Sequence, residues 1–258
     1  MKLYSMILLL LISLCYVMAQ TYGDFTYQAN EDDTITILRY NGNSKNVLIP
    51  SEIEGKNVTS IGFAAFSYDE NVEIISVPDT VKIIQWRAFF SCTNLKSVDL
   101  SSELEEIGRE AFKGCTSLET ITIPEKITWL QFKIFDGCSN LKDVSLPDNI
   151  HTIDEYAFQL CSKLASINLP VGLKEIGFGA FNFCTSLKEI TIPASVISIG
   201  QLAFNRCDNL MKISILSTNA EIGNDVFRKC GFAIIYAYEG SIGEAYAKTN
   251  KMPLVILK

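Results

Sequence analysis

A phenylalanine recurs every 23 residues along most of this chain, and no other feature limits the possible folds as strongly. The series runs without an insertion or a deletion over eight members: Phe66, Phe89, Phe112, Phe135, Phe158, Phe181, Phe204 and Phe227. A fixed interval of this length is the signature of a repeat protein, in which stacked units share one continuous core.

Other residue types keep the same interval. A leucine stands six residues after most members of the phenylalanine series, and prolines such as Pro124 and Pro193 close several of the repeats. A cysteine stands three residues after the phenylalanine from the second repeat onward: Cys92, Cys115, Cys138, Cys161, Cys184, Cys207 and Cys230. Agreement of several residue types in one register predicts a repeated structural unit.

The periods inside one unit predict its local structure. Leu118, Ile121 and Ile123 place apolar side chains on one face of a short strand, and Pro124 ends the strand because proline cannot donate to a ladder. The Ile-Gly-x-x-Ala-Phe portion is predicted to return the chain as a tight helical turn with the phenylalanine inside. Coils stacked about 5 Å apart would then pair their strands in parallel.

This pattern resembles the leucine-rich repeats of the Treponema-type, BspA-like family, whose unit reads LxxIxIPxxVxxIGxxAFxxCxx. The resemblance covers roughly residues 44–240. It implies an α/β repeat solenoid, a right-handed coil with a concave parallel β-sheet and short helical turns on the convex side. It also implies a β-hairpin N-cap and a helical C-cap.

Four segments are expected. Lys2 and the apolar run from about Met6 to Val17 predict a secretory signal peptide over residues 1–19, with cleavage before Gln20. An uncleaved signal anchor is the alternative. Residues 20–49 are predicted to form an N-terminal β cap, residues 50–238 an array of about eight repeats, and residues 239–258 a helical cap, because repeat arrays need capped ends.

The charge balance narrows the classes of partner. The chain has 22 basic and 29 acidic residues, and loss of Lys2 with the leader leaves 21 basic residues and a net charge of −8. An acidic chain without a basic run argues against nucleic acid and against anionic membranes as partners. No membrane insertion is expected after signal cleavage.

The seven repeat cysteines are predicted to be a structural row of buried free thiols. Equivalent positions in stacked coils lie about 5 Å apart, whereas a disulfide needs Cβ atoms about 3.5–4.5 Å apart with converging vectors. An odd number of cysteines cannot all pair. Disulfides remain the alternative, and metal binding is disfavoured because no C-x-x-C pair occurs and His151 is the only histidine.

No catalytic constellation or cofactor motif emerges, so the protein is expected not to be an enzyme and to need no cofactor or metal. His151 occupies a variable surface position of the repeat. Glu31, Asp32 and Asp33 fall where a hairpin turn is predicted, and consecutive carboxylates do not converge on one ion. Asn57 begins an Asn-Val-Thr tripeptide and is a candidate N-glycosylation acceptor.

Aromatic side chains at outward positions mark a candidate partner-binding surface. The position three residues before the repeat phenylalanine is polar in four repeats and aromatic in four. With two further aromatics at usually polar positions, the candidate set is Phe63, Trp86, Phe90, Trp129, Phe132 and Phe178. Exposed aromatics can form interaction sites. Alternatively, they pack among themselves or bury a dimer contact, and the outward residues of the strands remain a second candidate surface.

The resemblance implies a function. Members of that family are surface or secreted proteins of mucosal bacteria and parasitic protists, with adhesion as the recurring role. The chain is therefore expected to be a secreted or cell-surface antigen that attaches to a protein or glycan ligand on host cells or other microbes. The alternative is a self-associating structural coat component or secreted interaction factor.

Overall fold

A computed structural model describes residues 19–258 of the chain. The predicted signal peptide, residues 1–19, therefore lies outside the described residues except for Ala19.

The described chain begins with three antiparallel strands, β1 (Gln20–Tyr22), β2 (Phe25–Ala29) and β3 (Ile35–Tyr40), and β2 and β3 are joined through the acidic turn. β3 then pairs in parallel with β6 (Lys56–Ile61), so the meander continues into the repeats. Within residues 19–258, no helix is long and apolar enough to cross a membrane.

Each coil carries strands in one or both of two parallel ladders. The first ladder contains β4 (Asn46–Leu48), β7 (Ile74–Ser76), β9 (Ser97–Asp99), β11 (Thr120–Thr122), β13 (Asp143–Ser145), β16 (Glu189–Ile192), β18 (Lys212–Ile215), β20 (Ile234–Tyr238) and β21 (Leu254–Leu257). All of these except β21 are strands that the apolar alternation predicts. It forms three separate sheets, β4-β7-β9, β11-β13 and β16-β18-β20-β21. The solenoid with its 23-residue spacing is thus confirmed.

The second ladder lies where the sequence predicted helical turns. After β6, which also pairs with β5 (Glu52–Ile53), its strands are two residues long: β8 (Ile83–Ile84), β10 (Glu106–Ile107), β12 (Trp129–Leu130), β14 (Thr152–Ile153), β15 (Glu175–Ile176), β17 (Ser198–Ile199) and β19 (Glu221–Ile222). The Ile-Gly portion therefore pairs with the neighbouring coil instead of forming a helix, and the α/β assignment was wrong for the repeats.

The turn segment around each repeat phenylalanine satisfies its amides alternately within and between coils. In residues 156–161, the amides of Tyr156, Phe158 and Leu160 donate to carbonyls of the next coil at 2.7–2.9 Å. The intervening amides, among them those of Ala157 and Gln159, donate three residues back within the same coil. Tyr156 and Leu160 have φ values of 58° and 61°, the left-handed conformation that this alternation requires. A regular helix would direct every amide into its own coil.

The phenylalanine series forms a continuous column of rings in the core. Successive centroids are 5.0–5.6 Å apart, and most pairs are stacked within 20° of parallel. Tyr40 stacks on Phe66 at one end of the column, and Tyr246 meets Phe227 edge-on at the other. Aromatic residues of the two end segments thus extend the column that the repeats build.

The seven repeat cysteines are free and buried. Each Sγ lies 3.0–3.3 Å from the carbonyl oxygen of the phenylalanine one coil earlier, as Cys161 does with Phe135, so each thiol donates to a backbone acceptor. The first repeat has Asp69 at this position, where its carboxylate accepts from the amides of Asn71 and Val72. Each of the phenylalanine carbonyls also accepts from the backbone amide three residues later, as Phe135 does from Cys138, so the thiol adds a second hydrogen bond at the bend of the coil.

The C-terminal segment is only partly helical. After β20, Ser241 caps helix α1 (Ile242–Thr249) by accepting from the amide of Glu244. The chain then returns as β21, which pairs in parallel with β20. The sequence predicted a helical cap over residues 239–258 and missed β21, because its continuous apolar run Leu-Val-Ile-Leu lacks the repeat's landmarks.

Replacing a ring in the middle of the column should cost several kcal/mol. We expect Phe158→Ala to lower the free energy of unfolding by about 3–5 kcal/mol, because it removes both buried apolar area and two stacking partners. Urea unfolding followed by circular dichroism measures this. Ile197→Ala, at a side chain 54% exposed, is the control and should change stability little. Equal losses in the free energy of unfolding for the two substitutions would contradict a stabilising role of the phenylalanine column.

The cysteine row should make the fold alkali-sensitive. Burial raises the pKa of the thiols of Cys115, Cys138, Cys161, Cys184 and Cys207, whereas an unfolded thiol ionises near pH 8.5. Above that pH the unfolded chain binds fewer protons than the folded chain, so stability falls as pH rises, by up to about 1.4 kcal/mol per unit for each thiol. Unfolding titrations under reducing conditions measure the slope, and Cys161→Ala should make it shallower. An unchanged slope would refute this account.

Candidate interaction surface

The aromatic row is the surface formed by Phe63, Trp86, Phe132 and Phe178, three residues before the repeat phenylalanine, together with the residues that contact them. Each of these four side chains precedes a residue with positive φ in its coil, at Ala64, Arg87, Lys133 and Gly179. The next residue, usually alanine, points into the core, which leaves the aromatic side chain on the outside of the turn. The repeat thus places the four side chains at equivalent positions of their coils.

The first part of the aromatic row is centred on Trp86. Its ring lies 5.2 Å from that of Phe63, and its Nε1 donates to Oε2 of Glu110 at 3.2 Å. The guanidinium of Arg87 lies 4.7 Å from the Trp86 ring centre and 5.0 Å from that of Phe90. Arg87 also donates through Nε to the same oxygen of Glu110, at 2.5 Å. The carboxylate therefore fixes both the indole and the guanidinium stacked on it.

The second part of the aromatic row alternates cations and rings. Arg109 and Lys133 each lie 4.9 Å from the ring centre of Phe132, and Lys133 lies 5.1 Å from that of Tyr156. Tyr156 in turn meets Phe178 edge-on at 5.2 Å. Cations this close to ring faces are attracted by the ring quadrupole, typically by about 0.5–1 kcal/mol at exposed sites.

Glu110 is a buried carboxylate beneath the first part of the row. Only 7% of the residue is exposed. Burial opposes its ionisation, but the hydrogen bonds from Arg87 and Trp86 outweigh burial and hold the pKa of Glu110 below its usual value. Lys113 lies 3.9 Å from its other oxygen and 3.1 Å from Asp136. Acidic and basic side chains in contact with one another thus lie beneath the first part of the row.

Asp136 extends this polar support along the solenoid. Its Oδ1 accepts from Gln159, the Oε1 of Gln159 accepts from Asn182, and the Oδ1 of Asn182 accepts from Asn205, at 2.8–3.1 Å. These residues occupy the position after the repeat phenylalanine in successive coils. They satisfy one another's polar groups, so the outer layer behind the row is tied from coil to coil.

The predicted partner-binding residues differ in how far their side chains are exposed. Phe63 is 54% and Trp86 46% exposed, whereas Phe90, Phe132 and Phe178 are half-buried. The structure brings these five into contact with neighbouring aromatic or cationic side chains. The interpretation that the aromatics pack among themselves thus describes part of the set. Trp129, 47% exposed, lies on β12, and within the described residues its ring makes no aromatic or cation–π contact.

The remaining candidates have separate surroundings. Asn57 is exposed on β6, where it pairs with Glu52 of β5. His151 is exposed, and its backbone takes part in bonds between coils. In the acidic turn, Asp32 accepts from the amide and hydroxyl of Thr34, and Asp33 forms an ion pair with Lys56 at 2.5 Å. Asp32 and Asp33 therefore each have a separate partner within the protein.

Sequence reasoning missed the partners of the aromatic row. Arg87, Glu110, Lys133 and Tyr156 all stand two residues before the repeat phenylalanine. That position looks variable in the sequence, yet the turn directs it toward the aromatic side chain of the same or an adjacent coil. Comparing this variable position with the aromatic one, coil by coil, is the signal that could have revealed them.

Two stacked parallel ladders, an inner column of repeat phenylalanines and an outer row of variable side chains define a leucine-rich-repeat protein. The model of the BspA-type leucine-rich-repeat region matches residues 59–170 and 106–234, in six copies. The chain belongs to this family, which confirms the resemblance seen in the sequence.

Solved structures agree with this assignment. The chain is similar to the leucine-rich repeat protein TpLRR of T. pallidum, with 33% identity, a TM-score of 0.69, and coverage of 75% of this chain and 91% of that one. It is also similar to a leucine-rich repeat protein of Bacteroides ovatus, with 28% identity, a TM-score of 0.63, and coverage of 92% and 76%. No match was found among the curated proteins.

Protonation of Glu110 should be visible in the fluorescence of Trp86. In a Trp129→Phe background Trp86 is the only tryptophan in the described residues. We expect its emission to change as pH falls through the lowered pKa of Glu110, because the neutral acid no longer holds Arg87 against the indole. Stability that the ionised carboxylate provides should be lost in the same range.

The matched variant is Glu110→Gln, which keeps the size of the side chain and removes its charge. Its emission at neutral pH should resemble that of the parent in acid, and it should lack the transition. The substitution should also lower the free energy of unfolding by about 1–3 kcal/mol, since it weakens charge-assisted bonds in a buried site. An acid transition that persists in Glu110→Gln would exclude Glu110 as its source.

Proposed function

We propose that the protein is a secreted or cell-surface binding protein that attaches to a protein or glycan on host cells or other microbes through the aromatic row. The observation that carries this proposal is the pair Phe63 and Trp86, about half exposed on a scaffold whose interior is fully packed. Its family consists of leucine-rich-repeat proteins, a scaffold used for binding. Secretion is supported by the leader pattern of residues 1–19.

The energetics of the row favour binding. Tryptophan and arginine are enriched among the residues that dominate binding energy at interfaces. Trp86 and Arg87 are already held in place by Glu110, so binding would not cost the full side-chain entropy of ordering them. A half-exposed ring held rigid can be covered by an apolar side chain or by the apolar face of a sugar. The proposed role is non-catalytic.

The direct test is binding of purified residues 20–258 to an array of extracellular-matrix proteins, glycans and epithelial cells. We expect Phe63→Ser/Trp86→Ser to weaken binding at least about tenfold, as expected for loss of aromatic anchors. Trp129→Ser is the matched control, because it removes an equally exposed tryptophan outside the row. Circular dichroism establishes that each variant is folded.

Three outcomes are informative. Loss of binding in the double variant alone supports the aromatic row. Equal binding by all three proteins would contradict the row and turn attention to the strand face of the first ladder. Absence of binding together with concentration-dependent self-association, measured by light scattering, would favour the alternative of a self-associating coat component.

A further inference from the structure

Alternating charges run along the first ladder at the position seven residues after the repeat phenylalanine. Backbone hydrogen bonds link consecutive members from coil to coil everywhere except between Lys142 and Ala165, for instance from the amide of Lys96 to the carbonyl of Glu73. We call this set the charge column: Lys45, Glu73, Lys96, Glu119, Lys142, Ala165, Lys188 and Met211. Basic and acidic residues alternate up to Lys142, and Ala165 stands where the next carboxylate would be.

The filled part of the charge column shows what a carboxylate does there. Glu73 lies between two lysines and contacts both, Lys45 at 2.7 Å and Lys96 at 2.5 Å. These bonds lower the pKa of Glu73 to about 2. Glu73 therefore reaches the ammonium groups of the coils on either side of it, whereas Glu119 forms an ion pair within residues 19–258 with Lys142 alone, at 3.0 Å. Ala165 has no such group to offer to Lys142 and Lys188.

The ladder is open at the same coil. Residues 166–169 form no strand, whereas the equivalent residues of the adjacent coils form β13 and β16. The amide of Lys188 still donates to the carbonyl of Ala165, but the bond expected from Ala165 to the coil of Lys142 is not formed. A groove of about 850 Å³ lies here, and its lining includes the small residues Ala165 and Ser166.

The rim of the groove combines charge with apolar surface. Lys142, Lys163 and Lys188 line it, and of these only Lys142 forms an ion pair within residues 19–258, with Glu119 at 3.0 Å. At its far side stand Met211, 63% exposed, and Phe232, 96% exposed. Phe232 occupies a position that other coils fill with asparagine, serine or lysine.

We propose that this groove binds a peptide segment of a partner protein, with one carboxylate side chain seated over Ala165 between Lys142 and Lys188 and a nearby apolar side chain on Met211 and Phe232. Asp143 and Asp208 also line the groove. They disfavour a polyanion, such as a sulfated glycan, relative to a segment that carries a single carboxylate. The site uses residues outside the aromatic row, so the proposal is independent of the one above.

The chain's own chemistry provides the first test. Ala165→Glu should restore the alternation, and the new carboxylate should pair with Lys142 and Lys188 as Glu73 does with its two lysines. We expect Ala165→Glu to unfold at a higher temperature than Ala165→Gln at neutral pH, and the difference to vanish in acid or at high salt. Equal melting temperatures at neutral pH and low salt would overturn the assignment of a carboxylate site.

Peptide binding provides the second test. The probe is a fluorescein-labelled Gly/Ser peptide that contains one Glu followed by one Phe, with Gln and Ser versions of these two positions as controls. We expect fluorescence anisotropy to show that the Glu/Phe peptide binds at least about threefold more tightly than either control. Ala165→Glu and Phe232→Ser should each weaken binding by a similar factor.

Matched variants decide between the outcomes. Lys174→Glu and Ile197→Ser change an exposed charge and an exposed apolar residue outside the groove and should leave peptide binding unchanged. Phe63→Ser/Trp86→Ser should also leave it unchanged, which separates this site from the aromatic row. Equal binding of the Glu and Gln peptides would overturn the proposal, as would a heparin oligosaccharide that binds in their place with no sensitivity to Phe232→Ser.

Discussion

Hydrogen bonds between successive coils are the constraint on which the rest of this structure depends. In the turn segments, every second amide can be satisfied only by the neighbouring coil, as Phe158 is by Ala180. A coil therefore has unpaired backbone groups until the next coil is in place, and each unpaired buried amide costs about 1–3 kcal/mol. The phenylalanine column and the thiol row occupy the space that this backbone arrangement leaves.

The same constraint gives the inward and outward positions of each coil different roles. Inward positions repeat because each must match the coil before it and the coil after it. Outward positions touch solvent, and their side chains vary without disturbing the ladders. Two outward positions carry distinct chemistry in this chain: aromatic and cationic side chains near the turns, and alternating charges on the first ladder. A rigid array thus presents two different surfaces at fixed intervals of one coil.

The sequence was a good guide where a single residue type dominated a position. The phenylalanine column, the inward cysteines and the strands of the first ladder other than β21 follow from spacing and alternation alone. The second ladder was missed because strands such as β14 are only two residues long, and because the Ile-Gly-x-x-Ala-Phe spacing also fits one turn of a helix. The turn geometry was not predicted either, because residues such as Tyr156 have positive φ without being glycine.

By itself the sequence determined the repeat length, the identity of the core residues and the family, because these depend on periodicity within one chain. Only the tertiary structure decided which outward residues meet. Glu110 holds Trp86 because one circuit of 23 residues brings these two side chains, 24 residues apart in sequence, into contact. Likewise, the missing carboxylate at Ala165 becomes a groove between lysines only when the coils are stacked, since contact between coils is set by the ladder register and not by proximity along the chain.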